Sequence, residues 1–242
     1  MRLILLAALL LQAAPAQSDA DKMEAALKKF GERTYSIMME GKKIGTAVLR
    51  TRMEKEKGRT VAIFEDQITI GEGEMALKMK ETASLDRLRL LGAEGSTKEG
   101  DKNEKVSVTV DGKKAKITGR DPEIVVELTD AAVGEHGMLR MLCAAEQKVG
   151  ASFKLDVLSL TAEELQPGHA FTCVAKEQIE IGGKKVDAFK WANKGEWKKT
   201  RKVGDQEVPA TTTVDNTFWV SPDGYVLRSM NPEGMEVVLD AK

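Results

Sequence analysis

The side chains in this chain that could do imidazole or thiol chemistry are few: His136 and His169 are its only histidines, Cys143 and Cys173 its only cysteines. A metal centre needs several His, Cys or carboxylate ligands at short recurrent spacings, and neither histidine sits in such a pattern. The reading is therefore no metal and no cofactor. His136 and Cys143 lie seven positions apart and would share one helical face, as a Cys–His nucleophile pair on one helix requires. The plainer reading makes His136 a structural residue near a helix start and Cys143 a small apolar filler. Adjacent carboxylates at Glu65-Asp66 and Glu163-Glu164 suggest the acid and base of glycoside hydrolysis. Neighbours in sequence are poorly placed to flank one bond, however, and Phe64 is the lone aromatic beside them. No G-x-S-x-G elbow, Walker loop or dinucleotide fingerprint occurs, so the expectation is a protein that is not an enzyme.

The first residues set the context for the thiols. Arg2, the apolar run Leu3 to Leu11 and the exit Ala14-Pro15-Ala16 form a signal-peptide pattern over residues 1–16, leaving 17–242 as a single β-rich domain. The apolar run is far shorter than the roughly 20 residues of a membrane-spanning helix, so no span is expected. Residue 17 is Gln, so no lipid-anchoring Cys follows the exit. The expected location is periplasmic or secreted, where a disulfide is permitted. Two readings of the cysteines stay open: a Cys143–Cys173 bridge closing a loop of about 30 residues and worth roughly 3–4 kcal/mol, or two buried free thiols.

Charge and composition narrow the choice of partner. With 37 basic and 38 acidic residues, the chain lacks the basic excess of a nucleic-acid binder. One local basic stretch, Lys190 to Lys202, interleaves Trp191 and Trp197 with Lys198, Lys199 and Arg201. It reads as a docking edge for an anionic or protein partner, or as a solvated edge hairpin whose lysines prevent strand-to-strand aggregation. Aromatic residues make up only 5% while methionine occurs 11 times. Methionine therefore has to fill core or line a cavity, and Met75, Met79, Met138, Met141, Leu142 and Trp219 are the candidate lining of an adaptable apolar site.

The elements that must position these residues follow a two-residue period. Val106 to Val110 and Ile68 to Ile70 alternate, and Met75 to Lys80 departs only at Ala76, so each strand has one dry and one wet face. The wet positions carry long charged side chains such as Lys78, Lys80 and Lys116, which suits an antiparallel sheet solvated on one side. Gly41-Lys42, Gly112-Lys113 and Gly183-Lys184, with Asp223-Gly224, predict four tight hairpins. Two segments leave this rhythm: Asp19 to Phe30 reads as a short amphipathic helix stopped by Gly31, and Glu135 to Gln147 as a strongly apolar helix that must lie against the sheet.

A Y-x-I-x-x-x-G-x-x-I-G-x opening at Tyr35 to Thr46, a long meander, a mid-chain helix and a late Trp219-Val220-Ser221-Pro222-Asp223-Gly224 hairpin resemble uncharacterised exported β proteins of bacterial envelopes. These are similar in architecture to the LolA and LolB lipoprotein carriers. The resemblance implies a half-barrel-like sheet with a covering helix over an apolar cavity. The expected fold is mainly β: a curved antiparallel meander, half-barrel-like, with one covering helix and a short N-terminal helix. The expected function is non-catalytic binding of an apolar ligand or lipidated partner in the envelope. The alternative is a protein-interaction module working through a sheet edge or the basic hairpin, without a small-molecule ligand.

Overall fold

Strands form wherever the two-residue alternation runs, and glycine-bearing turns fold each onto the next. The computed structural model describes residues 19–56, 58–119, 122–160, 162–203 and 206–240; the leader read at residues 1–16 lies outside them. Helix α1 (Asp19–Phe30) precedes β1 (Glu32–Met39), β2 (Lys42–Glu56), β3 (Arg59–Ile70), β4 (Met75–Ser84), β5 (Leu90–Glu99), β6 (Lys102–Asp111), β7 (Lys114–Thr118), β8 (Ile124–Glu127) and β9 (Ala132–Gly134). Helix α2 (Glu135–Ala144) follows, then β10 (Ser152–Ser159), β11 (Glu164–Ile181), β12 (Lys184–Val203), β13 (Gln206–Val220), β14 (Val226–Met230) and β15 (Met235–Leu239). All four predicted hairpins are present, at β1–β2, β6–β7, β11–β12 and β13–β14. Gly41, Gly112, Gly183 and Gly224 each take the positive φ that these turns require.

The strands make one 15-stranded sheet in the order β8-β7-β6-β5-β4-β3-β2-β1-β15-β14-β13-β12-β11-β10-β9. Every neighbouring pair is consecutive in the chain except β1 and β15, whose antiparallel pairing of Tyr35 with Leu239 through Met39 with Met235 joins the two ends of the meander. The free edges are β8 and β9, yet only residues 128–131 separate them in sequence. Four residues reach at most about 18 Å, so the sheet has to roll until its edges approach. β9 accordingly lies near β5, and β11 near β8. The one parallel pair, β9 with β10, is connected through α2, as parallel neighbours need a crossover.

The rolled sheet wraps α2, as the sequence implies. A central cluster draws Phe30 from α1, Leu142 and Cys143 from α2, Tyr35 from β1, Leu49 from β2, Leu155 from β10, Phe171 from β11, Trp191 from β12 and Phe218 from β13. A second fills the space between β4–β7 and β9–β10, with Met79, Ala93, Val108, Ile117, Ala132 and Leu158. Helix α2 ends three residues earlier than its apolar pattern suggests. Gln147 folds back instead, donating from Nε2 to the carbonyls of Leu142 at 3.1 Å and Ala145 at 2.9 Å, which satisfies orphan helix-end acceptors. Its Oε1 accepts the indole N–H of Trp191 at 3.0 Å. No helix among the described residues is long and apolar enough to cross a membrane.

Candidate functional site

The alternation that gives each strand two faces places two polar constellations back to back on β2–β4. On the face turned away from α2, strands β2–β7 form a trough of about 710 Å3. Cross-strand register assembles it in two rows. One runs Arg50–Glu65–Lys80–Glu94–Ser107–Thr118, each residue paired with the next across adjacent strands. The other runs Val48–Gln67–Lys78–Ser96–Lys105. Six strands at about 4.8 Å spacing put the outer members of the longer row about 24 Å apart along the sheet. Gly119 sits at the far end with φ +104°, where a Cβ would collide with the Lys105 carbonyl oxygen.

Part of the trough's charge is already engaged. Glu65 accepts Nη2 of Arg52 at 2.8 Å and lies 3.8 Å from Nη1 of Arg50; its pKa is lowered, chiefly by the Arg52 hydrogen bond. Ser107 and Thr118 share a hydrogen bond of 2.7 Å. Lys78, Lys80, Lys105 and Glu94 make no ion pair with any described residue.

On the opposite face, Arg140 of α2 is fully buried, with the guanidinium 4.7 Å from the ring centre of Phe30 and 5.0 Å from that of Phe64. Its Nη1 and Nη2 donate to the two oxygens of Asp66 at 2.9 and 2.6 Å, and Nε donates to Thr51 at 3.2 Å. The remaining N–H groups reach the carbonyls of His136 and Arg50, each at 3.4 Å. All five guanidinium donors therefore have acceptors. His136 Nδ1 closes on Asp66 Oδ2, while its buried Nε2 has no partner among the described residues. Glu81 reaches from β4 to the start of α2 and accepts the backbone N–H groups of His136 at 3.1 Å and Gly137 at 3.0 Å. A carboxylate there satisfies orphan donors and opposes the helix dipole.

Burial would raise the Asp66 carboxyl, but the Arg140 charge and the hydrogen bonds from His136 and Arg140 outweigh it and hold the group well below the usual range. Burial also works against an imidazolium at His136, and the hydrogen bond and charge of Asp66 with the charge of Glu81 overcome it, raising its pKa. Glu81 is raised, mainly by burial. The cluster fastens α2 to β2, β3 and β4, and Asp66, at its centre, also borders the trough.

The histidines and cysteines do not meet. His136 is held by Asp66, whereas burial pushes the Cys143 thiol up to about 12. His169 lies 5.5 Å from the ring of Trp197 and 3.5 Å from the Asn193 amide. Of the two readings open for the cysteines, the structure has free thiols: Cys143 on α2 and Cys173 on β11 are both buried and unbridged. Among the described residues no group of three or more His, Cys, Asp or Glu is placed to hold a metal ion.

The candidate apolar-ligand residues separate into different places. Leu142, Met138 and Met141 pack into the central core. Met79 belongs to the second cluster and also touches the trough floor. Met75 is 37% exposed at the start of β4. Trp219 lies on the outer face of β13, its indole N–H donated to Glu177 at 2.5 Å and its ring flanked by Lys190 and Arg228. The candidate lining therefore does not come together at one place: Met138, Met141 and Leu142 pack around α2, while Met79, Met75 and Trp219 stand elsewhere.

The docking patch is corrected as well. Trp191 and Trp197 are buried, and Trp197 donates to Glu164 at 3.1 Å, so neither ring is offered to a partner. The side chains of Lys198, Lys199 and Arg201 lie outside the described residues.

What sequence reasoning missed is the Asp66–His136–Arg140–Glu81 cluster. Its signal was a lone arginine inside Met138-Leu139-Arg140-Met141-Leu142 and carboxylates at dry-face positions of β3 and β4. A buried guanidinium needs a buried acid.

No family model matches the chain, and no curated protein sequence does. In structure the chain is similar to a β-barrel-like protein of the domain of unknown function DUF1849 from Brucella abortus, at 10% identity and a TM-score of 0.49, covering 86% of this chain and 94% of the other. It is also similar to the hypothetical lipoprotein YmcC from Escherichia coli, at 17% identity and a TM-score of 0.37, covering 95% of this chain and 98% of that one.

Proposed function

We propose that this chain is an exported, non-catalytic binding protein that holds a small polar ligand in the trough across β2–β7. The trough itself carries the reading. It is an open trough of about 710 Å3, a volume in the range of small-molecule sites, and is built on strands by side chains of several types. The residues most suited to nucleophilic or proton-transfer chemistry, Cys143 and His136, lie on the α2 side and are engaged in packing or in the Asp66 bond. Export rests on the leader pattern over residues 1–16.

A polar ligand replaces the acyl chain or lipidated partner that the methionine content suggests. An acyl chain needs a continuous apolar lining, and among the described residues that line the trough only Val48, Met79 and Val106 are apolar side chains larger than alanine.

Amide-resolved NMR tests the reading. A panel of neutral and charged small polar compounds is titrated into the full chain, and at least one should saturably move the amides of Gln67, Lys78, Ser96 or Lys105 and be recovered unaltered. Absence of any shift in the trough would sink the proposal. So would saturable uptake of a fluorescent fatty acid with shifts confined to Met138, Met141 and Leu142.

A further inference from the structure

We infer that the ligand of the trough carries an acid group, phosphate or carboxylate, on a hydroxyl-bearing body, with the acid seated over Ser96 between Lys78 and Lys105. The inference rests on the trough being a ligand site and specifies its chemistry. Ser96 is paired with Lys78 on one neighbouring strand and with Lys105 on the other. All three side chains stand on the same face, so two ammonium groups flank one hydroxyl. Neither lysine has an ion-pair partner among the described residues, and both are exposed. An anion placed there would take charge-assisted hydrogen bonds from both sides and one from Ser96.

The rest of the lining agrees in sign and chemistry. Among the described lining residues, Lys78, Lys80 and Lys105 stand against Glu65 and Glu94, because Asp66 turns its carboxylate to Arg140 on the other face and Arg50 is paired with Glu32 at 2.7 Å. Glu65 is itself occupied by Arg52. This leaves a cationic surplus on a protein whose overall charge is −1. The adjacent row supplies Glu94 as an acceptor, and Ser107 with Thr118, for ligand hydroxyls. No aromatic ring among the described residues lines the trough, so a neutral sugar finds no stacking platform there and an apolar ligand no wall; the acid group is the principal source of affinity.

Isothermal titration and NMR with four probes test this on the full chain: glucose 6-phosphate, glucuronate, inorganic phosphate and glucose. The three anions should bind and move the Gln67, Ser96 and Lys105 amides, while glucose does not. Lys78→Gln and Lys105→Gln should each weaken glucose 6-phosphate binding by about tenfold or more, and Ser96→Ala by less. Raising salt from low to high ionic strength should weaken it further. Lys185→Gln, at the distant β11–β12 hairpin, should leave binding unchanged. Thermal unfolding of each variant confirms that it is folded. If the anions fail while neutral or cationic compounds move the trough amides, the acid-group inference is overturned and the binding function stands. If nothing moves those amides, both fall. Equal anion binding by the wild type and the two lysine variants also overturns the inference, because the acid then sits elsewhere.

Discussion

Glu65 and Asp66 are consecutive in β3 and point through opposite faces of the sheet. Glu65 accepts Arg52 in the trough at 2.8 Å, and Asp66 accepts Arg140 beneath α2 at 2.6 Å. The same step is repeated on β4, where Lys80 faces the trough and Glu81 holds the start of α2. As a hydrolytic pair Glu65 and Asp66 cannot flank one bond, since a sheet lies between their carboxylates. As structure they do more: β3 and β4, in the floor of the trough, are each fastened from behind by an acidic side chain bonded to the helix. A site with its walls on regular strands and its supports locked in a buried network is held rigid.

Removing the acid at the centre of that network should unfold the protein readily. Asp66→Asn keeps the shape but strips the charge that compensates Arg140, which has no access to solvent. Loss of one partner of a buried ion pair costs about 3–5 kcal/mol. Urea denaturation should register a fall of that order in unfolding free energy with an unchanged m-value. A loss under about 1 kcal/mol would mean the guanidinium draws its stability from Phe30, Phe64 and the backbone carbonyls rather than from Asp66.

Stability should peak on the mildly acidic side of neutrality. Asp66 is depressed in the folded state relative to its ordinary 3.8, so its contribution is present above that value and is lost as pH falls below it. Glu81 and His136 are raised above their ordinary 4.5 and 6.5. For both, the folded state holds its proton more tightly, so their contributions are complete at low pH and decline as pH rises through the folded values. Thermal unfolding followed from pH 3 to 9 should give a maximum between those limbs. His136→Gln should flatten the alkaline limb and change the acid limb less, because Arg140 still holds Asp66 down, and a wild-type Tm that climbs steadily to pH 9 would contradict the assignment.

Much of this fold was legible because local rules and global packing agree. Alternation in Val106 to Val110 and Met75 to Lys80 and glycines at the hairpin turns each settle one element without reference to the rest. The boundaries of α1 follow likewise from Asp19 and from Gly31, whose φ of +54° ends the helix. The site was less legible. Lys78, Ser96 and Lys105 stand on three separate strands, and only the register across β4, β5 and β6 makes them neighbours. Nothing in the sequence states that register or the shape of the sheet that turns a solvated face into a trough. Methionine misled for a related reason: richness in Met38, Met138 and Met141 reports that aromatic residues are scarce, and core filling explains it as well as a cavity does.

The thiols should be silent in the folded protein. Cys143 is buried with its pKa near 12, and Cys173 is buried and raised by desolvation. A thiolate is the reactive form, so both should resist Ellman's reagent under native conditions and react fully in guanidinium. The intact mass should carry no two-hydrogen deficit. Rapid native labelling would contradict the burial of the thiols, and a mass lower by two hydrogens would show that α2 approaches β11 closely enough in solution to be bridged.

Gly137→Ala sets two physical effects of opposite sign against each other at one atom. In an exposed helix the change stabilises by about 1 kcal/mol through backbone entropy. Here a Cβ would stand 2.7 Å from Oε1 of Glu81, which is accepting the Gly137 N–H at 3.0 Å. The carboxylate is buried and cannot swing into water, so relieving the clash stretches the bonds that hold the helix start. Loss of a hydrogen bond to a buried charged group costs roughly 1.5–3 kcal/mol, which exceeds the propensity gain. The net effect should be a destabilisation of about 1 kcal/mol. Glu81→Ala is costly on its own because it leaves the two helix N–H groups unpaired. Once Glu81 is truncated, Gly137→Ala has nothing to collide with and should become stabilising. A double-mutant cycle should therefore give a coupling of about 1–3 kcal/mol. Additive effects would mean that Glu81 does not hold the start of α2, and the cluster behind the trough would reduce to the Asp66–Arg140 pair.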